Sequence, residues 1–311
     1  MHPAVVALVP AGAVVRLVNR RRLRGMALAL RHDVGQYEPP ATPDEDLVAA
    51  AGDPFDSVDD AFERLRRLEA LLTDRGDRRA VFLTVYTRMT ARIRARIDRG
   101  GFRDPGWLRA YTTAFANYYR RAFLAFERGD LGGVPDPWRI AFGTARRGDA
   151  FVLQDAALGI NAHINYDLAL TLRDVGIDPD RAAKRADHRA VNEVLARLVD
   201  AQQRVLAELY APGLAGVDAT LGRVDERLSL LGITEGREQA WRVAAVLTDT
   251  DWPPIRSLAR WVLRATATGG AAFVRGPALD PSLRDQLQQF EREGVDFRDV
   301  LGDLQEQLDD A

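Results

Sequence analysis

The chain has 311 residues, 43 basic against 45 acidic side chains for a formal net charge of −2, and no cysteine. Its 47% hydrophobic and 28% charged residues are globular proportions, which exclude disordered, collagenous and disulfide-scaffold classes. Without cysteine there are no disulfides, thiolate metal sites or thiol nucleophiles, and a charge near zero gives no general pull toward nucleic acid or acidic membranes.

At about 150 residues per domain, one or two domains are expected. Residues 3–18 are mostly apolar, broken by Pro10, Gly12 and Arg16, and followed by Asn19-Arg20-Arg21-Arg22. Positive charge after the apolar run is the reverse of a secretory signal, and the run is shorter than the ~20 residues of a membrane span. A helix docked on the body is expected, with at most weak membrane contact through the arginines. Residues 31–54 show no periodicity and read as a linker.

From there the chain reads as helix after helix. Ser57 followed by Asp60 resembles a capping box ahead of an apolar stripe of Val58, Phe62, Leu65, Leu68 and Leu72. Phe82, Tyr86, Met89, Ile93 and Ile97 mark the next helix, stopped by Gly100-Gly101. Asp104-Pro105 starts another, striped by Leu108, Tyr111, Phe115, Tyr118, Ala122 and Phe126. Pro135-Asp136-Pro137-Trp138 leads into a helix through Ile140 and Phe142. A long helix is expected over 150–175 and another from Pro179 to about Tyr210. Further helices fall near 218–231, 235–247, 254–267, 281–293 and 297–308. No alternating strand pattern and no internal repeat is found. The expected fold is all-α: a single multi-helix bundle over 55–280 around a central buried helix at about 150–175. Residues 1–54 form an N-terminal apolar and Arg-rich helix with its linker, and 281–311 form acidic amphipathic helices.

The 150–175 helix departs from the one-stripe pattern. It is apolar on nearly every side, so it should be buried, yet Asn161, His163, Asn165 and Asp167 sit in its middle. Buried polar groups cost ~1–3 kcal/mol each when unpaired, so these need partners. His163 and Asp167 are four apart and share a helix face, the spacing of an acid/base dyad in which the carboxylate orients the imidazole. The same pair equally suits a hydrogen-bonded brace in a helical core. The next helix carries Asp187, His188 and Asn192. A loop of about three residues between the two helices predicts an antiparallel hairpin that brings both polar sets to one site.

Gly159-Ile160-Asn161-Ala162-His163-Ile164-Asn165-Tyr166-Asp167-Leu168 resembles the signature of an uncharacterised, mainly bacterial family of all-helical proteins. Weaker pieces fit as well: Tyr86 and Thr90, Phe102 through Trp107, Val134 through Phe142, Asp187 through Leu195, and Arg237 through Trp241. The resemblance spans roughly residues 55–265 and implies the fold and the place of the site, with no activity attached. It suggests an aromatic at position 188, which makes His163 the stronger catalytic candidate.

Dinucleotide, P-loop, serine-hydrolase elbow and His-Glu-x-x-His motifs are absent. Acid pairs at Asp59-Asp60, Asp249-x-Asp251 and Asp309-Asp310 read as helix-end features rather than Mg²⁺ ligands. Lys184 is the one lysine, leaving Schiff-base chemistry a single candidate amine, and the evenly spread arginines read as compositional bias. Tyr86, Tyr111, Phe115, Tyr118, Trp138, Tyr166, Trp241 and Trp261 lie on or near apolar stripes. A subset beside the polar cluster would form an apolar pocket with a few convergent polar groups. The reading is a cytoplasmic enzyme acting on a small hydrophobic metabolite by cyclisation, isomerisation, elimination or hydrolysis. His163 is the general acid/base and Asp167 its orienting group. Asn161, Asn165, Asn192, Tyr86, Trp138, Arg237 and Trp241 are expected to bind substrate. No cofactor, tightly bound metal or nucleic-acid partner is expected. The alternative is a non-catalytic ligand-binding or structural protein whose polar cluster braces the core.

Overall fold

A computed structural model describes residues 20–210, 232–276, 289 and 297–310, and all of the regular structure there is helical. The helices expected near 3–18, 218–231 and 281–293 lie outside the described residues. In chain order the helices are α1 (Arg20–Ala29), α2 (Glu45–Ala50), α3 (Val58–Asp74), α4 (Ala80–Asp98), α5 (Pro105–Glu127), α6 (Asp136–Arg147) and α7 (Val152–Ala162). A π turn (His163–Asp167) leads into α8 (Leu168–Val175), followed by α9 (Arg181–Tyr210), α10 (Ile233–Asp249), α11 (Pro253–Arg275) and α12 (Phe297–Asp310).

Local chemistry accounts for the boundaries. The Ser57 hydroxyl accepts the Asp60 amide at 3.1 Å, while the Asp60 carboxylate turns to the Asp56 amide, so only half of the expected capping box forms. Asp104 accepts the Trp107 amide with Pro105 at the first helical position of α5. Gly148, at φ 61°, closes α6 in the left-handed conformation that costs a side-chain-bearing residue most.

The segment α7–π–α8 is the axis of the bundle. α4, α6 and α11 pack on α7, α5 and α10 pack on α8, and α5, α10 and α11 reach the π turn. Nearly every residue of α7 is buried, as its all-round apolar sequence predicts. Gly159 lets the helices close: a Cβ there would lie 2.3 Å from Cγ of Phe82 on α4. The supposed linker is part of the body. Tyr37 is buried, its hydroxyl meets His32 Nε2 at 2.8 Å, and Arg139 of α6 donates to its carbonyl. α12 lays Leu301, Leu304 and Leu308 against the bundle, in contact with α4 and α9.

Two further expectations need correction. α9 does not return along α7–α8 as a hairpin. It leans on α4 and α12, and α10 takes the place beside α8. The reason is at its start: Asp187 accepts the Arg103 and Asp104 amides at 2.8 and 2.7 Å, pinning α9 to the N-terminus of α5. On α5 the buried member of the tyrosine pair is Tyr119. Tyr118 lies outside the core, where its hydroxyl donates to Asp174 at 2.6 Å.

Candidate functional site

The site begins with the π turn. The Leu168 amide bonds to the His163 carbonyl, an i→i+5 step that inserts one residue into the helix ladder. The sequence supplies no strong helix former across Asn161 to Asp167 except Ala162, so the ladder is weakest here. Within the turn His163 Nδ1 meets Asp167 Oδ2 at 2.9 Å, and Trp138 Nε1 of α6 donates to the same oxygen at 2.7 Å. His163 and Asp167 are 2% and 1% exposed.

Aromatic rings enclose the imidazole. Phe115 of α5 stacks on it with centroids 3.5 Å apart and planes 7° apart. Tyr86 of α4 presents its edge at 4.5 Å, with Phe82 and Trp138 each at 5.8 Å and Tyr119 at 6.3 Å. Packing of this kind holds the ring in one orientation.

The polar atoms divide unevenly. With Nδ1–H donated to Asp167, the bare lone pair of the imidazole is on Nε2, and among the described residues Nε2 has no partner. Asp167 Oδ1 and the Tyr119 hydroxyl also lack partners, and the Tyr86 hydroxyl, near that of Thr90, finds no partner of hydrogen-bonding geometry. At about 1–3 kcal/mol per orphaned group, four of them would consume a large part of the ~5–15 kcal/mol that stabilises a typical domain. Burial lowers the His163 pKa, opposed by the hydrogen bond to Asp167, and burial raises that of Asp167 against the His163 and Trp138 hydrogen bonds. The Tyr86 and Tyr119 hydroxyls are pushed up by burial and stay protonated.

Of the residues expected to bind substrate, Tyr86 and Trp138 join the dyad. Asn161 and Asn165 do not. They sit on the side of the helix facing α10 and α11, where Asn161 donates to the Ala267 carbonyl at 2.8 Å and Asn165 donates to Asn161 Oδ1 at 3.0 Å. A two-residue offset from His163 turns a helical side chain by about 200°, so no short reach brings them back. Gly236 and Gly270 leave room for them: a Cβ at either would come within 2.5 Å of an asparagine oxygen.

Asn192, Arg237 and Trp241 belong to a second buried cluster around His188. Arg237 Nε donates to Asn192 Oδ1 at 2.6 Å, and its Nη2 reaches the His188 carbonyl and, at 3.3 Å, His188 Nδ1. The Tyr111 hydroxyl meets the same Nδ1 at 3.2 Å, and His188 Nε2 donates to the Arg237 carbonyl at 3.1 Å. Trp241 packs 5.4 Å from the His188 ring. Burial and the neighbouring Arg237 guanidinium drive the His188 pKa well below its usual 6.5. Phe115 and Tyr111, a turn apart on α5 with ring centroids 6.2 Å apart, stand between the two clusters.

Sequence reasoning did not assign Phe82, Phe115 and Tyr119 to the site, although the first two sit on its predicted stripes. What would have found them is helix phase: Tyr111, Phe115 and Tyr119 recur every four residues, as do Phe82 and Tyr86. Among the described residues no three His, Asp or Glu side chains come close enough to share a metal ion.

Comparison with protein families finds a match over residues 58–277, to a family of unknown function, DUF5995. The chain belongs to that family, and the match runs from the start of α3 to just past the end of α11. No curated protein and no solved structure matches the chain.

Proposed function

We propose that this member of the DUF5995 family is an enzyme that moves a proton within a small hydrophobic metabolite, with His163 as the general acid/base. The observation that carries the reading is the bare Nε2 of His163, buried among aromatic rings while Nδ1 is tied to Asp167. Asp167, itself oriented by the Trp138 indole, fixes the tautomer that exposes Nε2 as base and steadies the imidazolium once the proton arrives. The same nitrogen then returns the proton, at a neighbouring atom in an isomerisation or cyclisation, or to the departing group as its bond to the substrate breaks in an elimination. In a hydrolysis it takes the proton from the attacking water and gives it to the leaving group. Tyr86 and Tyr119 remain neutral donors that can face a developing oxyanion. A π turn at the dyad supports the reading, because such turns recur at functional sites. A substrate reaching Nε2 would meet the apolar rings of Phe82, Phe115 and Trp138, and the enzyme works in the cytoplasm without a cofactor, a metal or a nucleic-acid partner.

The second reading is a core brace. It draws on the enclosure of the dyad, with the imidazole sandwiched against Phe115 and almost no surface of its own. One experiment separates the two. The protein and its His163→Ala variant are incubated with a hydrophobic metabolite extract, and untargeted mass spectrometry follows what is consumed. Conversion by the parent, lost in a variant that still melts within a few degrees of it, supports the enzyme. If the parent converts nothing and the variant unfolds, the brace stands.

A further inference from the structure

Charge is segregated in this chain, although its sum is close to zero. Residues 20–32 hold five arginines and no acid, and residues 253–276 hold four arginines and no acid. These are α1 and α11 with their flanks, and the two helices pack directly on each other. Their backbones nearly touch at Gly25 and Gly269, where a Cβ on Gly269 would lie 1.8 Å from the Gly25 carbonyl oxygen. Several of the arginines pair with acids of other elements, Arg264 with Asp136 for example, but Arg24, Arg31 and Arg260 are exposed and make no ion pair with a described residue.

The apolar surface is segregated to the same place. Every large hydrophobic side chain that is exposed among the described residues lies on these two helices or at their ends: Leu23, Leu28, Leu30, Trp252, Leu258 and Trp261. Trp252 and Trp261 are 57% and 51% exposed, against 7% or less for Trp107, Trp138 and Trp241. Single exposed apolar residues are ordinary, but all of them on one helix pair, whose nearest acids in sequence are Asp33 and Asp251 at its ends, is a patch. Tryptophan and leucine among unpaired arginines are the components of a surface that settles into the headgroup layer of an anionic bilayer. The apolar run of residues 3–18 leads straight into α1. Among the described residues no helix is long and apolar enough to cross a membrane, so the contact is interfacial.

We propose that the α1–α11 face, through Trp252, Trp261 and the arginines Arg24, Arg31 and Arg260, docks on an anionic lipid surface. Such docking goes well beyond the weak contact through the N-terminal segment that the sequence alone suggested. It stands independently of any activity of the dyad.

The test uses the full chain with vesicles of phosphatidylglycerol mixed with phosphatidylcholine, and with vesicles of phosphatidylcholine alone. Co-sedimentation should favour the anionic vesicles by at least about tenfold and weaken as salt is raised. Brominated lipids should quench tryptophan fluorescence, and the quenching should disappear in Trp252→Phe/Trp261→Phe because the other three tryptophans are buried. Arg24→Gln/Arg31→Gln/Arg260→Gln should lose about tenfold in binding with unchanged melting. Equal binding to both vesicle types, or no binding, overturns the proposal. So does binding without quenching, which would leave residues 1–19 as the only anchor. A dimer that buries both tryptophans and is broken by Trp261→Glu overturns it in favour of a second copy of the chain.

Discussion

Among the described residues two histidines are buried, and their surroundings are opposite. His188 has both ring nitrogens engaged: Nε2 donates to the Arg237 carbonyl, and Nδ1 accepts from Tyr111 and Arg237. His163 has one nitrogen engaged and one bare. Burial is nearly equal at the two, so it does not separate a structural histidine from a reactive one. The state of the second nitrogen does. A satisfied imidazole lowers the energy of the fold, whereas a half-satisfied one costs the fold energy and keeps chemistry available.

The contrast can be broken from the His188 side first. Arg237→Ala leaves Asn192, the His188 carbonyl and His188 Nδ1 short of a donor in a buried cluster. It should cost about 3 kcal/mol or more in urea unfolding. Arg237→Lys should recover little of this, because an ammonium cannot span the same acceptors. A loss below about 1 kcal/mol would mean that the His188 cluster is not a stability element, and the contrast would collapse.

The next effect is on pH dependence. His188 is depressed in the folded chain and near 6.5 when unfolded. The unfolded state therefore takes up its proton first as pH falls. Its contribution to stability is complete above about 6.5 and declines below, by about 1.4 kcal/mol per pH unit, until the folded pKa is reached. His163 adds a contribution of the same sign, which the raised Asp167 opposes. The clean measurement is thus the slope of unfolding free energy against pH in the parent and in His188→Phe. The variant's slope should be shallower by the amount stated, and equal slopes would contradict the assignment.

Asp167→Asn should be mild for the fold and severe for the chemistry. The amide keeps an acceptor for the Trp138 indole and removes a buried charge, so the stability change should stay within about 1 kcal/mol. Conversion in the extract assay should fall by at least about 100-fold, because the imidazole loses the group that sets its tautomer. An unfolded Asp167→Asn with no activity in the parent would return the dyad to the core. The smallest effect belongs to Tyr119→Phe. Its hydroxyl has no partner to lose, so the melting temperature should be unchanged or slightly raised, equivalent to less than about 0.5 kcal/mol. A clear loss would reveal a hydrogen bond that the hydroxyl must be making.

Much of this was legible in the sequence, because hydrophobic period reports which side of a helix is buried. The all-α class, the central place of residues 150–175 and the pairing of His163 with Asp167 follow from spacing alone. What period cannot report is which neighbour a buried face meets. Asn161 and Asn165 stood beside His163 in sequence but turn to α10 and α11. The short loop after α8 suggested a hairpin, and the two hydrogen bonds that Asp187 accepts from the Arg103 and Asp104 amides hold α9 elsewhere. Tyr118 and Tyr119 fit the same stripe, and Asp174 drew Tyr118 outward. The exposed tryptophan at 261 sits on or near an apolar stripe, and a stripe looks alike whether protein or another surface covers it.

The extra residue in the π turn has a consequence for how this chain can change. An extra residue in a regular helix would turn everything downstream by about 100°, and the wide turn absorbs that residue so that the helix resumes in phase. Deleting a single residue between His163 and Asp167 would let the ladder close as an ordinary α-helix and leave Leu168, Ala169 and Leu172 of α8 on the seats they share with α5 and α10. The same deletion would bring the histidine and the aspartate from four residues apart to three and change the angle at which they meet. A length change at this turn is therefore one that the bundle tolerates and the dyad does not.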